Sequence, residues 1–306
     1  MRIRPSGGED QLHAIFRAAW RARKGIVGPG DDCARLLPPR GKALLWTTDQ
    51  LALGIHARAG TSPELLACKL LRRSLSDIAA AGAQPWAVSW TLAAPRSTSA
   101  AWLSRLARAF LTEAQHFGLP VVGGDCSGAR SLVLTCSILG LESRRGTPGR
   151  GGARAGDVLL VTGRLGGAVQ SGRHLLPRPR LQEGARLAER YQATAMMDLS
   201  DGLARDLPRL LARSEVGARV HLEQLPLSRE LLGHPSAIER ALGEGEDYEL
   251  LVALRPAHAA RALRDPLLRR AGLTPIGALT RAAALVWLRN GRPARIRARG
   301  YEHSWS

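Results

Sequence analysis

Residues 143–156, SRRGTPGRGGARAG, interrupt an otherwise regular alternation of apolar and amphipathic runs. A stretch this rich in Gly and Arg, with one Pro and no apolar period, continues neither a helix nor a strand, so it reads as a boundary. On its N-terminal side the pattern predicts a helix over 11–23, a Gly-rich acidic turn at 28–32 and a strand over 42–49. Ser62 as N-cap and Pro63 at the first helical position open a helix that runs to about Gly82. A strand over 85–94, a helix over 98–117 and strands near 120–124 and 131–141 follow. Beyond the boundary come strands at 157–162 and 194–199, two helical stretches broken near Pro177 and Pro179, and a helix over 201–213. Strands near 217–222, 247–254, 273–279 and 283–288, with a helix over 256–271, complete the chain. This order implies two α/β (α+β) domains, residues 1–142 and 143–306. A chain of 306 residues is long enough for two cores.

A 45% hydrophobic content suits a folded chain rather than a disordered one. No stretch of about 18 apolar residues would span a membrane. The N-terminal residues Met1–Asp10 are polar and carry both charges, unlike a signal peptide, so a cytoplasmic location is expected. Cys33, Cys68, Cys126 and Cys136 form no CxxC pair and no zinc-finger spacing, which leaves four reduced thiols as the simplest reading. The net charge of +18 comes from 44 basic residues, of which only Lys24, Lys42 and Lys69 are lysines. The arginines are spread along the chain without interleaved aromatics, so no specific nucleic-acid site is expected. Such a charge favours anionic small molecules.

The acids are scarcer and better ordered. Seven of the 12 aspartates fall in five motifs: Gly30-Asp31-Asp32, Thr47-Thr48-Asp49, Ser76-Asp77, Gly123-Gly124-Asp125 and Asp198-Leu199-Ser200-Asp201. Most sit where an apolar run ends, beside Gly or a hydroxyl. Singly, a Gly-Asp pair is a turn and a Ser-Asp pair a cap or exposed loop. Likewise His56 alone reads as a surface or packed histidine, and Glu246-Asp247 as a polar strand start. Five acid motifs in a chain with few acids point instead to divalent cations. Magnesium takes oxygen ligands from carboxylates together with substrate phosphates. Several such ions would neutralise a nucleotide and a second phosphate ester brought close together. Thr47, Thr48 and Ser200 add neutral oxygens, and Gly123 and Gly124 let main chain approach a phosphate.

The ordered set GPGDD, TTDQLALGIH, SLSDIAAAGAQP, VVGGD, RGGARAGDVLLVTG, MDLSDGLARDL, GEDYELL and GYEH resembles the thiamine-monophosphate kinase family, within the aminoimidazole-ribonucleotide-synthetase-like superfamily. The resemblance runs from about residue 9 to residue 303, and MDLSDGLARDL and GEDYELL are its most specific parts. It implies a two-domain fold whose N-terminal sheets pair across a homodimer into a barrel, with an α/β C-terminal domain. It implies direct transfer of the ATP γ-phosphoryl group to thiamine monophosphate, with several Mg²⁺ and no phosphoenzyme. By resemblance, Asp32, Thr47, Thr48, Asp49, Asp77, Asp125, Asp198 and Asp201 match metal-binding positions. Gly124, Asp125, Arg150 and Ser200 match ATP positions, and His56, Glu246 and Tyr301 match positions around the thiamine phosphate. No general base stands out, because the acceptor phosphate is already ionised.

The chain departs from the family pattern at Ser74, at Cys126-Ser127 after GGD, at Ala57 after the histidine and at Glu244, where a glycine is usual. These changes leave the acids intact and fall nearer the acceptor side. Two other readings compete. One is a different ATP-using member of the superfamily. The hydrogenase-maturation protein needs a C-terminal Cys, but this sequence ends Trp305-Ser306; selenophosphate synthetase needs a reactive Cys with a Lys near the N-terminus, an arrangement that does not occur. The other is an arginine-rich nucleic-acid binder on the same fold, which steep salt-dependent binding without ATP turnover would favour.

Overall fold

The computed structural model describes residues 9–21, 23–27 and 33–302. The chain divides into two compact units, one up to Ile78 together with Pro85–Leu141, the other Ala79–Gln84 together with everything from Glu142 onward. Among the described residues, no helix is long and apolar enough to cross a membrane.

The first unit holds α1 (Glu9–Ala19), a two-residue ladder of β1 (Ile26–Val27) and β2 (Arg35–Leu36), and β3 (Leu44–Ala52). Then come α2 (Pro63–Ala80), whose last two residues belong to the second unit, β4 (Gln84–Ala94), whose first residue does, α3 (Ala100–His116), β5 (Val121–Gly128) and β6 (Val133–Leu141). Helix α1 stops short of the expected residue 23: Gly25 adopts φ 79°, and its carbonyl accepts the Leu37 N–H at 2.7 Å, turning the chain into β1. At the start of α2 the Ser62 hydroxyl accepts the Leu65 N–H at 3.3 Å, as the cap reading requires. The main sheet runs β3-β6-β4-β5, with β3 and β6 antiparallel and β4 and β5 parallel. One of its faces packs on helices: Trp90 stacks on Phe110 of α3 at 4.8 Å between ring centroids and also meets Phe16 of α1. The other face leaves Trp46 76% exposed on the edge strand β3, with Leu44 beside it.

The second unit is built on a seven-stranded sheet of β7 (Val158–Val161), β8 (Ala195–Asp198), β9 (Gly217–His221), β10 (Leu250–Leu254), β11 (Thr274–Thr280), β12 (Leu285–Arg289) and β13 (Arg292–Pro293). Their order is β13-β12-β9-β11-β7-β10-β8, antiparallel throughout except for β12 beside β9. Helices α4 (Leu181–Glu189), α5 (Leu203–Ser214), α6 (Ala237–Gly243), α7 (Pro256–Ala262) and α8 (Pro266–Arg270) flank it. Alternate residues of each strand enter different cores: Leu159, Val161 and Met197 pack with α5 and α6, while Leu160, Met196 and Val252 pack with α4, α7 and α8. The helix expected over 256–271 is two helices. Asp265 caps the second, accepting the N–H groups of Leu267 and Leu268, and Pro266 begins it. The strand expected from 247 starts only at Leu250, because Glu246 and Tyr248 take left-handed φ values of 57° and 52°.

Candidate active site

In the first unit, strand and helix periods bring the expected residues together. Thr47 and Asp49 share one face of β3, about 6.7 Å apart. Arg73 and Asp77 share one face of α2, about 6 Å apart. The spacings match, and the side chains pair in order. Thr47 Oγ1 donates to Asp77 Oδ2, and Arg73 Nη2 lies 3.3 Å from Asp49 Oδ1. One helical turn earlier Lys69, fully buried, donates to the carbonyl of His56. His56 Nδ1 in turn accepts the Ala52 N–H at 3.1 Å, which closes the turn after β3. Lys69 and Arg73 escape a reading that follows only the acids, although their i, i+4 spacing with Asp77 is a sequence signal.

Thr48 points to the opposite face, its hydroxyl 2.8 Å from that of Ser137. Gly124 and Asp125 are exposed on β5, at the far edge of the sheet from Asp49. Three strand spacings, about 14 Å along the sheet, separate the two aspartates. Asp32 lies outside the described residues. Of the departures, Ser74 is buried and donates to the Leu70 carbonyl at 3.0 Å, and Ala57 is buried. Burial pushes the Cys136 thiol up to about 12 and the Cys68 thiol up to about 11, the adjacent Glu113 adding to the latter, so neither is a ready nucleophile.

In the second unit the remaining set converges on the loop after β8. Asp198 is the buried last residue of that strand. Ser200 and Asp201 are held by Asp206 on the first turn of α5, whose carboxylate accepts both their N–H groups at 3.1 and 2.9 Å. Burial raises the Asp206 carboxyl to about 6. Arg209 Nη1 lies 2.7 Å from both Asp201 and Asp206. The segment Gly245–Tyr248 runs alongside: Glu246 N–H donates to the Ser200 carbonyl at 2.7 Å and Tyr248 N–H to that of Leu199 at 2.8 Å. Gly245 is required there, since a Cβ would sit 2.7 Å from the Ser200 oxygen. Tyr301 N–H donates to the Asp201 carbonyl at 2.9 Å, and Arg205 bonds Glu302 at 2.9 Å. Asp198, Ser200, Asp201, Glu246 and Tyr301 therefore share one locus. Arg150 stands apart, since the neighbouring Gly149 carbonyl accepts the Met196 N–H, beside the start of β8. Ser200 is four residues further on, about 13 Å along an extended chain.

The Gly245–Tyr248 segment is clipped in place by carboxylates. Asp247, almost wholly buried, accepts the Gly166 N–H on both oxygens at 3.0 and 2.9 Å and Arg173 Nη2 at 2.8 Å. Glu244, at the position where glycine is usual, accepts the Gly167 N–H at 2.5 Å and pairs with Arg240. Burial raises the Asp247 carboxyl to about 7, although Gly166 and Arg173 favour its charged form. The unfolded group titrates near about 4. The folded state therefore keeps a proton that the unfolded chain releases between these values. Stability that is fully present at low pH is lost as pH rises through 7. Asp247→Asn is expected to flatten the stability–pH profile between about pH 4 and 7 by one proton. Urea unfolding at several pH values measures this, and an unchanged slope would contradict it.

The donors in both clusters are carboxylate, hydroxyl and main-chain oxygens, the set that magnesium takes. Among the described residues no three His, Cys, Asp or Glu side chains gather as a metal-binding group. Each carboxylate would thus offer one or two oxygens, with water and phosphate completing the shell, which fits magnesium.

Two family models match the chain: AIR synthase related protein, N-terminal domain, over residues 30–141, and AIR synthase related protein, C-terminal domain, over residues 132–285. The thiamine-monophosphate kinase of Escherichia coli (strain K12) is 33% identical over 303 residues, covering 90% of this chain and 91% of that one. The chain belongs to the thiamine-monophosphate kinase family. The thiamine-monophosphate kinase of Rhodopirellula baltica is 36% identical over 251 residues, 76% of this chain and 78% of that one. The crystal structure of thiamine-monophosphate kinase from Stenotrophomonas maltophilia K279a superposes with a TM-score of 0.80 at 31% identity, covering 93% and 96% of the two chains. The structure of AaThiL complexed with AMPPCP and TMP covers 99% of each chain with a TM-score of 0.75 at 27% identity. A hydrogenase maturation protein in complex with ATP shares the fold at 20% identity. The two-domain architecture of the thiamine-monophosphate kinase family is thus the fold of this chain. Within that family pattern, Lys69, Arg73, Arg209 and Asp247 hold the expected site residues in position here.

Proposed function

We propose that this protein transfers the γ-phosphoryl group of ATP to thiamine monophosphate, giving thiamine diphosphate and ADP. The observation that carries the reading is likeness along nearly the whole chain to thiamine-monophosphate kinases, including a relative complexed with AMPPCP and TMP. An oxygen of the acceptor phosphate attacks the γ-phosphorus as the bond to the β–γ bridging oxygen breaks, and ADP leaves with that electron pair. Magnesium, when bound, supplies charge neutralisation and alignment of the two phosphate groups. Asp49, Asp77 and Thr47 in the first unit and Asp198 and Asp201 in the second are the proposed ligands, with Asp32, Thr48 and Asp125 completing the set. Ser200, Gly124 and Arg150 are assigned to ATP; a guanidinium suits phosphate oxygens through paired donors. His56, Glu246 and Tyr301 are assigned to the acceptor, where a ring can stack on a flat heterocycle and a carboxylate can face the thiazolium cation. No residue need remove a proton. The test is ADP release with ATP and Mg²⁺. Release dependent on thiamine monophosphate is expected, and none with this acceptor would overturn the reading.

The same proposal includes a homodimer built on the first unit. Support comes from the outer face of its sheet, where Trp46 and Leu44 are exposed on β3, an edge strand among the described residues. Sedimentation equilibrium is expected to give twice the 32.9 kDa chain mass, and Trp46→Arg to weaken the association. A wild-type monomer at working concentration would refute it.

A further inference from the structure

The segment leading to Tyr301 carries a row of three arginines with one carboxylate, Glu239, against its main chain. Between Asp265 and Glu302 the chain has no acid, and residues 294–300 alternate between partly buried and exposed positions. Ala294, Ile296 and Ala298 pack against the core beneath, and Arg295, Arg297 and Arg299 project outward from the same face. The main chain is pinned rather than loose, since Glu239 accepts the N–H groups of Arg297 and Ala298 at 2.9 and 2.6 Å. Among the described residues, none of the three guanidinium groups has an ion-pair or hydrogen-bond partner. The row ends where Tyr301 N–H meets the Asp201 carbonyl.

That end point is chemically awkward for an anion, because Asp198, Asp201, Asp206 and Glu246 lie there, offset mainly by Arg205 and Arg209. We infer that Arg295, Arg297 and Arg299 form an electrostatic lead-in that draws the phosphate ester acceptor toward this acid-lined locus. The inference rests on the kinase reading only for the identity of that anion. A fixed row of like charge raises the local concentration and capture rate of an anion without touching the reacting atoms. Distance grades the effect. Gly300 turns the chain with φ 76°, so Arg299, Arg297 and Arg295 stand at most about 7, 14 and 20 Å from Tyr301, in that order. The screening length is about 30 Å at 10 mM salt and about 8 Å at 150 mM. All three arginines act at low salt, and chiefly Arg299 at physiological salt.

The experiment compares the full-length protein with the triple variant Arg295→Gln/Arg297→Gln/Arg299→Gln. A control triple, Arg261→Gln/Arg264→Gln/Arg269→Gln, removes equal charge from exposed positions on and after α7, on the opposite face of the sheet. At about 10 mM salt the first triple is expected to lower kcat/KM for thiamine monophosphate about fivefold with kcat unchanged, and to converge on wild type by about 300 mM. The control stays near wild type, and among single variants only Arg299→Gln keeps its effect at about 150 mM. Equilibrium dialysis of thiamine monophosphate over the same salt series reads the row without turnover. Binding weakened in the first triple supports it even if no phosphoryl transfer occurs, an outcome that would remove the kinase reading instead. Turnover with the same salt dependence in wild type and the first triple, or an equal loss in the control, overturns the lead-in.

Discussion

Asp125→Asn is expected to reduce kcat by roughly a thousandfold while leaving the unfolding transition unchanged. The carboxylate is exposed on β5. Loss of activity would therefore report only its part in handling cations and phosphates. Asp49→Asn is expected to give a loss of the same order with a small stability change. Asp49 faces Arg73 at 3.3 Å with both side chains largely but not wholly shielded, and Asn still offers that guanidinium an acceptor. Steady-state kinetics beside urea unfolding separates the two effects. Near-normal turnover in either variant would remove that aspartate from the proposed metal set.

The largest expected loss of stability lies away from the acids that handle phosphate. Arg180 and Glu249, both buried, form a paired bond at 2.7 and 2.6 Å, and Thr162 donates to the same carboxylate at 2.6 Å. Arg180→Met strands the Glu249 charge in the interior and is expected to cost about 3–5 kcal/mol. The double variant Arg180→Met/Glu249→Leu is expected to recover only part of that loss, because the buried Glu183, 3.5 Å from Arg180, loses that partner in both variants. A single-variant loss below about 1 kcal/mol in urea unfolding would mean that water reaches the pair. The Glu249 carbonyl also accepts the Leu199 N–H at 2.8 Å, so a loosened pair should disturb the Asp198–Asp201 loop and raise KM.

Several features were legible because they are local. Ser62 and Pro63 start α2 where capping chemistry places a helix start, and Asp198 ends β8 as expected, whereas Asp49 and Asp125 lie inside β3 and β5 and Asp77 inside α2. The opposed directions of Thr47 and Thr48 follow from the strand period, yet treating the motif as one unit hides them. Asp265-Pro266 was a readable helix start inside the run taken as one helix over 256–271. The arginines read as scattered become a row only where alternate burial turns three of them to one side.

By itself the sequence determined the order of most strands and helices, though not α6, β1, β2 or β13, and the presence of two units, because these rest on periodicity, caps and residue types within a few positions. Which groups stand together was decided by tertiary structure. Arg180 and Glu249 are 69 positions apart, and Thr162 and Glu249 are 87 apart. Tyr301 reaches Asp201 only after the whole C-terminal sheet has formed between them. No local propensity encodes such pairs. Burial brings the partners together, and removal of water makes their charges decisive.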